Sequence, residues 1–165
     1  MTPWTSEQWV PHAQGADLQL TSRGNLRLRF LSDSMARVTL QPKDGYREPN
    51  TWAIAPVNAH APHDVPWQGR HRDDLSCFAT PAVQHHNSQG LHVLSTPSLR
   101  VELHTQPLRL VWHWQQDGHD EVVLSDRSTS AYLSDKRTGA LRHYIQRDDA
   151  EKFYGLGDKT GPLNL

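Results

Sequence analysis

The sequence lacks the features that define several large classes of protein. Its 165 residues contain one cysteine, Cys77, so an internal disulfide framework is excluded and a reducing compartment is favoured. No apolar run approaches the roughly 20 residues that cross a bilayer, and residues 1–10 lack the basic and apolar regions of a signal peptide. We therefore expect a cytoplasmic protein with no membrane partner.

The sequence also lacks an excess of charge of one sign. Lys and Arg number 17 against 18 Asp and Glu, which gives a formal net charge of -1. Without a basic field, the chain has little to attract the phosphates of nucleic acid or anionic lipid. We expect no nucleic-acid partner. A chain of about 150 residues can bury close to 70% of its unfolded surface, which is enough for one core.

Helical periodicity is missing as well. Apolar residues instead recur at every second position, as they do in half-buried strands. The pattern covers residues 18–20, 26–30, 36–40, 91–93, 99–103 and 108–114. Turn signals separate these segments, notably Ser32 to Ser34 and the pair Asp117-Gly118, which suits a tight hairpin. The sequence predicts an all-β protein with little helix, built as an antiparallel β-sandwich.

The chain divides into three regions. Residues 1–17 are predicted to be irregular because Pro3, Pro11 and Gly15 break any period. Residues 18–150 form the predicted sandwich, which contains a long Pro-rich loop between Pro42 and Asp74 with a short strand at 51–55. Residues 151–165 form a signature segment and linker.

The signature segment is the densest run of glycine, aromatic and charged residues in the chain, reading Phe-Tyr-Gly-Leu-Gly-Asp-Lys-Thr-Gly-Pro-Leu-Asn over residues 153–164. Two phosphate-binding interpretations fail here. A Walker loop needs glycine directly before the lysine, where Asp158 stands and would repel phosphate. A dinucleotide fingerprint needs Gly-x-Gly-x-x-Gly, whereas the glycines lie at 155, 157 and 161.

The segment instead resembles the signature of glycoside hydrolase family 31, the α-glucosidase and α-xylosidase family. There a Tyr-Gly-Leu-Gly-Glu/Asp-Lys-Thr-Gly-Pro-Leu run joins an N-terminal β-sandwich to the catalytic barrel. Residues 44–49, 51–56, 107–110 and 141–144 are also similar to that N-terminal domain. The resemblance implies a galactose-mutarotase-like sandwich that belongs to an enzyme similar to bacterial α-glucosidases.

The same resemblance assigns the catalytic aspartates to the barrel, which would begin beyond Leu165. It implies that this chain has no catalytic residues and is inactive alone, while the parent is a retaining glycosidase acting on α-glycosides. The implied partners are its own barrel and an oligo- or disaccharide substrate. Tyr154, Asp158, Lys159 and Thr160 would lie at the domain interface or pocket edge, where Asp158 accepts hydrogen bonds from the glycine-rich turn.

Metal and thiol chemistry have little support. His60 and His63 come nearest to ligand spacing among 11 histidines, but they lie in the Pro-rich loop without a cysteine pair or a helix to align them. Cys77 could be activated by a histidine such as His85 or His86, yet a lone cysteine is more often an inert core residue. We expect no metal and no cofactor.

Carboxylates and tryptophans are the residue types that act on or bind sugars. Retaining hydrolysis needs two carboxyls about 5 Å apart, and the adjacent pairs 73–74 and 148–149 do not create that geometry because strand neighbours point to opposite faces. Trp112 and Trp114 share a strand face with core leucines, which predicts core packing. Trp52 and Trp67 lie in the Pro-rich loop and are the candidates for sugar stacking.

Three hypotheses follow. The favoured one is a non-catalytic N-terminal scaffold for the barrel, which also helps to shape the substrate-pocket entrance. The alternative is an autonomous carbohydrate-binding module that uses Trp52 or Trp67. A third is a small mutarotase-like enzyme, which needs a histidine and a carboxylate converging in a groove. Truncation would leave an apolar surface around Phe153, Tyr154 and Leu163, which predicts self-association of the isolated chain.

Overall fold

A computed structural model describes residues 2–21, 24–43, 45–46, 48–51, 70–76, 78–135, 137–138 and 140–151. These residues contain strands and turns but no helix, and so no helix that could cross a membrane. The strands are β1 (Thr2–Pro3), β2 (Ser6–His12), β3 (Gly15–Leu20), β4 (Gly24–Ser32), β5 (Met35–Pro42), β6 (Asn50–Thr51), β7 (Arg70–His71), β8 (Gln84–Ser88), β9 (Leu91–Ser95), β10 (Leu99–Thr105), β11 (Leu108–Gln116), β12 (His119–Ser125), β13 (Tyr132–Ser134) and β14 (Leu141–His143).

The strands form two main sheets and two small ones, all with antiparallel pairing. One main sheet has four strands in the order β2-β3-β4-β5, and the other has five in the order β12-β11-β10-β9-β8. A three-stranded sheet, β1-β13-β14, and a two-stranded sheet, β6-β7, complete the described part. Neighbouring strands are mostly consecutive in sequence, because short turns such as residues 33–34 return the chain at once.

The core lies between the two main sheets. Alternate residues of each sheet point inward, and together they form one continuous cluster of buried side chains. Its members include Leu18, Leu26, Leu28 and Phe30 from the four-stranded sheet and Leu94, Val101, Leu103 and Leu110 from the five-stranded sheet. The predicted all-β fold and antiparallel β-sandwich are therefore confirmed.

The N-terminal segment differs from its prediction. Residues 2–3 and 6–12 are strands rather than irregular chain, and β2 pairs with β3 along its length. Pro11 fits here because β2 is an edge strand and its missing N–H costs no ladder bond inside the sheet. Gly15 turns the chain at φ 148°, where a Cβ would lie 2.0 Å from the carbonyl oxygen of Leu28, so no larger residue fits.

The predicted turns agree with the structure. Asp117 and Gly118 adopt φ values of 51° and 78° and connect β11 to β12 as a tight hairpin. In the Pro-rich region, β6 and β7 pair with each other. The short strand predicted at 51–55 overlaps β6 at Thr51, and its remaining residues lie outside the described part.

Asp126 joins the small three-stranded sheet to the five-stranded one. Its side chain is 1% exposed; Oδ2 accepts a hydrogen bond from the Leu110 amide at 2.8 Å, and Oδ1 lies 2.6 Å from His143 Nε2. The His143 ring stacks on Tyr132 with a centroid separation of 4.4 Å. Burial, with the charge of Asp126 beside it, raises the pKa of Tyr132 well above its ordinary value. This cluster links the small sheet to the five-stranded one.

Candidate functional site

Most of the residues that the sequence nominated as functional lie outside the described part of the chain. This group comprises Trp52, Trp67, Tyr154, Asp158, Lys159 and Thr160, together with His60, His63 and Cys77. Their predicted roles therefore stay predictions. The described residues present three other surfaces: an apolar sheet edge and the outer faces of the two main sheets.

The adjacent carboxylate pairs serve local structure where they are described. Asp73 lies 2.8 Å from the Arg27 guanidinium. Asp74 accepts a hydrogen bond from the Ser76 amide at 2.9 Å, and Asp148 accepts one from the Ala150 amide at 2.7 Å. These are an ion pair and two turns in which an aspartate accepts a bond two residues on.

The apolar edge belongs to β12, the outermost strand of the five-stranded sheet. Val122, Val123 and Leu124 are 53%, 55% and 37% exposed, although they stand in a regular strand. A register shift between Trp112 and His113 on β11 leaves Val123 as an extra residue, so the alternation between inward and outward side chains is broken. The result is a run of apolar side chains on an open strand edge.

A groove of about 430 Å³ runs along this edge. One wall is the β12 run of Val122, Val123 and Leu124, and the other is formed by residues 146–151. The backbone N–H of Gln146 donates a hydrogen bond to the Ser125 carbonyl at 2.8 Å. Ile145, which is 50% exposed, forms an antiparallel β-bridge with Asp126. The chain that leads into the signature segment therefore lies against the apolar edge.

The outer face of the five-stranded sheet carries a compensated charge network. Arg100 pairs with Glu102 and with Asp120, one on its own strand and one on β12. Its Nη2 also lies 2.7 Å from His113 Nδ1, and His113 Nε2 lies 3.4 Å from Glu102. His104 lies 3.4 Å from the second oxygen of Glu102. Every charge of the network has an opposite charge beside it.

The acid–base properties of this network follow from its pairing. Burial alone would raise the pKa of Glu102, but the hydrogen bond from Arg100 and the charge of His113 outweigh it and lower that pKa. Burial and the nearby Arg109 guanidinium lower the pKa of His104. A histidine and a carboxylate, the pair that a mutarotase-like enzyme requires, meet here as His113 and Glu102. Because Arg100 contacts both side chains, the arrangement suits a structural ion-pair network.

The outer face of the four-stranded sheet carries an arginine-lined cavity of about 290 Å³. Arg27, Arg29 and Arg37 project from β4 and β5, and residues 72–75 lie across them. Asp17 on β3 lies 2.6 Å from Arg29. The local sequence of these strands gives no sign that a distant segment would lie across their arginines.

The two tryptophans predicted to lie in the core are both half-buried and differ in their contacts. Trp112 packs against the core cluster, whereas Trp114 donates Nε1–H to Gln116 at 3.2 Å. On the same face of the sheet, Trp112 pairs with Val101 and Trp114 pairs with Leu99 across the two strands.

Among the described residues no group of three or more His, Cys, Asp or Glu side chains is arranged to hold a metal ion.

An open apolar edge beside a continuing chain is typical of a domain that packs against another part of a larger protein. Comparison with protein families identifies the family to which this domain belongs. Residues 25–165 match the family described as the glycosyl hydrolase 31 N-terminal galactose mutarotase-like domain. The chain belongs to this family, and the resemblance of the signature segment to glycoside hydrolase family 31 is confirmed.

Among solved structures, the chain is similar to a family 31 dextranase from Flavobacterium johnsoniae, a mutant in complex with isomaltotriose. The TM-score is 0.68 and the sequence identity 18%, over 99% of this chain and 18% of the dextranase chain. At this identity the likeness shows the fold alone. This chain thus spans less than a fifth of the dextranase. A search of curated proteins finds no match.

Proposed function

We propose that this chain is the non-catalytic N-terminal scaffold of an α-glucosidase-like glycoside hydrolase, and that its β12 edge docks the catalytic barrel. The observation that carries the proposal is the exposed run of Val122, Val123 and Leu124 on an open strand edge. Natural sheets protect such edges with charge, proline or a covering element, because an open apolar edge invites unwanted pairing. Asp120 and Glu121 precede the run and residues 146–151 line one side of it, yet Val122, Val123 and Leu124 stay exposed, which is the property of a surface that is covered in the full protein.

The position of the edge supports the barrel as its cover. Residues 146–151 form the second wall of the groove, and the signature segment at 153–164 follows them in sequence. A domain that continues from this point would start next to the apolar edge, so docking there needs no long connection. The opposite edge strand, β8, has the sequence Gln-His-His-Asn-Ser and is polar.

The parent activity is part of the same proposal. The family membership and the signature segment favour a retaining hydrolase of α-glucosides, and the fold-related dextranase is a carbohydrate-cleaving enzyme by its name. Asp73, Asp74 and Asp148, from the adjacent carboxylate pairs, are engaged in an ion pair and two turns, which supports a scaffolding role that helps to shape the pocket entrance. A cytoplasmic location remains part of this proposal.

The experiment is a paired assay of the 165-residue chain. Isothermal titration with glucose, maltose, isomaltose and xylose measures binding, and release of nitrophenol from the matching α-glycosides measures turnover. The scaffold proposal predicts neither saccharide binding nor release of nitrophenol. Saccharide binding without turnover would favour the carbohydrate-binding module, and substitution of Trp52 and Trp67 would then locate its site. Reproducible hydrolysis would overturn the non-catalytic assignment.

A further inference from the structure

The arginine-lined cavity has no role in the proposed scaffold function. It lies on the outer face of the four-stranded sheet, away from the core. The strand register sets its composition: Arg27 stands opposite Asp17 on one side and Thr39 on the other, and Arg29 stands opposite Arg37. The side chains of Arg27 and Arg29 are only 22% and 15% exposed, and Asp73 and Leu75 line the cavity with them. Three guanidinium groups therefore share one enclosed space.

The charges in this space do not balance. Asp17 pairs with Arg29 at 2.6 Å, and Asp73 pairs with Arg27 at 2.8 Å. These two carboxylates neutralise two of the three cations. Among the described residues, Arg37 makes no ion pair, and its guanidinium contributes the surplus positive charge.

The hydrogen bonds of Arg37 are also incomplete within the described part of the chain. Its Nη2 donates to the Arg72 carbonyl at 2.7 Å, whereas its Nε is buried without an acceptor. Arg29 stands directly opposite it across the strand pair, and like charges in that position repel each other. The Nε of Arg27 is likewise buried without a hydrogen bond, since its distance of 3.6 Å to Asp17 is too long for one. An anion in the cavity would offset this repulsion.

We propose that this cavity binds a phosphoryl group, carried either by free phosphate or by a small sugar phosphate. Guanidinium forks match the oxygens of phosphate, and a charged acceptor makes the stronger hydrogen bonds. The Thr39 hydroxyl and the Gln14 amide add neutral donors to the lining. A volume of about 290 Å³ leaves room for a small carrier beside the phosphoryl group and places the cavity at the lower end of ordinary ligand pockets.

The test is isothermal titration of the 165-residue chain at constant ionic strength with inorganic phosphate, glucose 6-phosphate and glucose. The proposal predicts saturable binding of phosphate or glucose 6-phosphate and no binding of glucose. Tighter binding of glucose 6-phosphate would identify the sugar phosphate as the source, and equal binding would identify free phosphate. Arg37→Gln should weaken binding by about tenfold or more, because it removes the surplus charge. Arg142→Gln removes an equal charge from exposed β14 and should leave binding unchanged.

Absence of saturable binding by both phosphorylated probes would overturn the proposal, as would equal binding by Arg37→Gln and the unsubstituted chain. Arg37→Lys is the control for misfolding, because it keeps the positive charge and loses only the forked guanidinium geometry. We expect its affinity to lie between those of the unsubstituted chain and Arg37→Gln, with an unchanged circular dichroism spectrum. None of these readouts uses glycoside hydrolysis, so their outcome is independent of the scaffold assignment.

Discussion

The two main sheets are alike where they face each other and different where they face outward. Inward, both contribute leucines and other apolar residues to one core. Outward, the five-stranded sheet balances Arg100 with Glu102 and Asp120, whereas the four-stranded sheet leaves Arg37 without a carboxylate among the described residues. Burial of apolar area fixes the inward faces of any sandwich. The outward faces are free to differ, and they carry what is particular to this chain.

The two edges of the five-stranded sheet show the same contrast. The β8 edge is polar along its length, and the β12 edge exposes Val122, Val123 and Leu124. A sheet that needed only to remain soluble would protect both edges. The asymmetry supports the proposal that β12 is the edge that docks the barrel.

The largest effects are expected from substitutions in the core that the two sheets share. Phe30 is fully buried in the four-stranded sheet, and Leu103 is 1% exposed in the five-stranded sheet. Phe30→Ala should lower the free energy of unfolding by about 3–5 kcal/mol and Leu103→Ala by about 2–5 kcal/mol, through lost transfer energy and cavity formation. Urea unfolding followed by circular dichroism and tryptophan fluorescence should give coincident transitions for each variant. Separate transitions would show that the sheets do not form one cooperative core.

The next effect separates a buried carboxylate from an exposed one. Asp126→Ala leaves the buried Leu110 amide without its acceptor and should cost about 2–3 kcal/mol in the free energy of unfolding. Asp149→Ala, at an exposed position, should change it by less than about 0.5 kcal/mol. Equal urea midpoints for the two variants would refute the assigned role of Asp126 in joining the sheets.

A smaller effect concerns pH. Burial lowers the pKa of His92, whose ring stacks on Trp9 at 4.1 Å, and burial together with Arg109 lowers the pKa of His104. Between each lowered pKa and the unfolded value of about 6.5, the unfolded chain holds more protons, so stability must fall as pH falls through this window. Urea midpoints at pH 7.5 and 5.5 should show the decrease. His92→Gln should reduce the difference between the two midpoints, and an unchanged difference would contradict the assignment.

The smallest effect on stability tests the contrast between the edges. Val123→Lys places a charge on the apolar edge and should change the free energy of unfolding by less than about 0.5 kcal/mol, because the side chain is exposed. Because an open apolar edge also invites pairing with a second chain, the same variant should reduce self-association of the isolated chain in analytical ultracentrifugation. His86→Lys on the exposed β8 strand is the control and should leave association as it was. Equal effects of the two substitutions would remove the distinction between the edges.

The sequence predicted the fold well because period-two alternation reports directly on which side chains face the core. It predicted the hairpin at Asp117-Gly118 for a local reason, since these residues readily take positive φ. The N-terminal prediction was wrong because Pro11 was read as a break, and only the sheet order shows that β2 is an edge strand that tolerates it.

The candidate surfaces were beyond the reach of the sequence. The exposure of Val122 to Leu124 depends on a bulge and on the place of β12 at the sheet edge, which are properties of pairing rather than of local pattern. The arginine cavity depends on residues 72–75 crossing β4 and β5, a contact between segments more than 30 residues apart in sequence. The family resemblance carried the functional expectation that periodicity could not supply.

Amide hydrogen exchange can measure whether the β12 edge docks the catalytic barrel. Exchange at residues 119–125 would be compared between the 165-residue chain and the full-length parent enzyme, with β8 at residues 84–88 as the internal control. Docking at this edge predicts slower exchange of the β12 amides in the parent and equal exchange at β8. Equal exchange at β12 in both proteins would show that the barrel docks elsewhere.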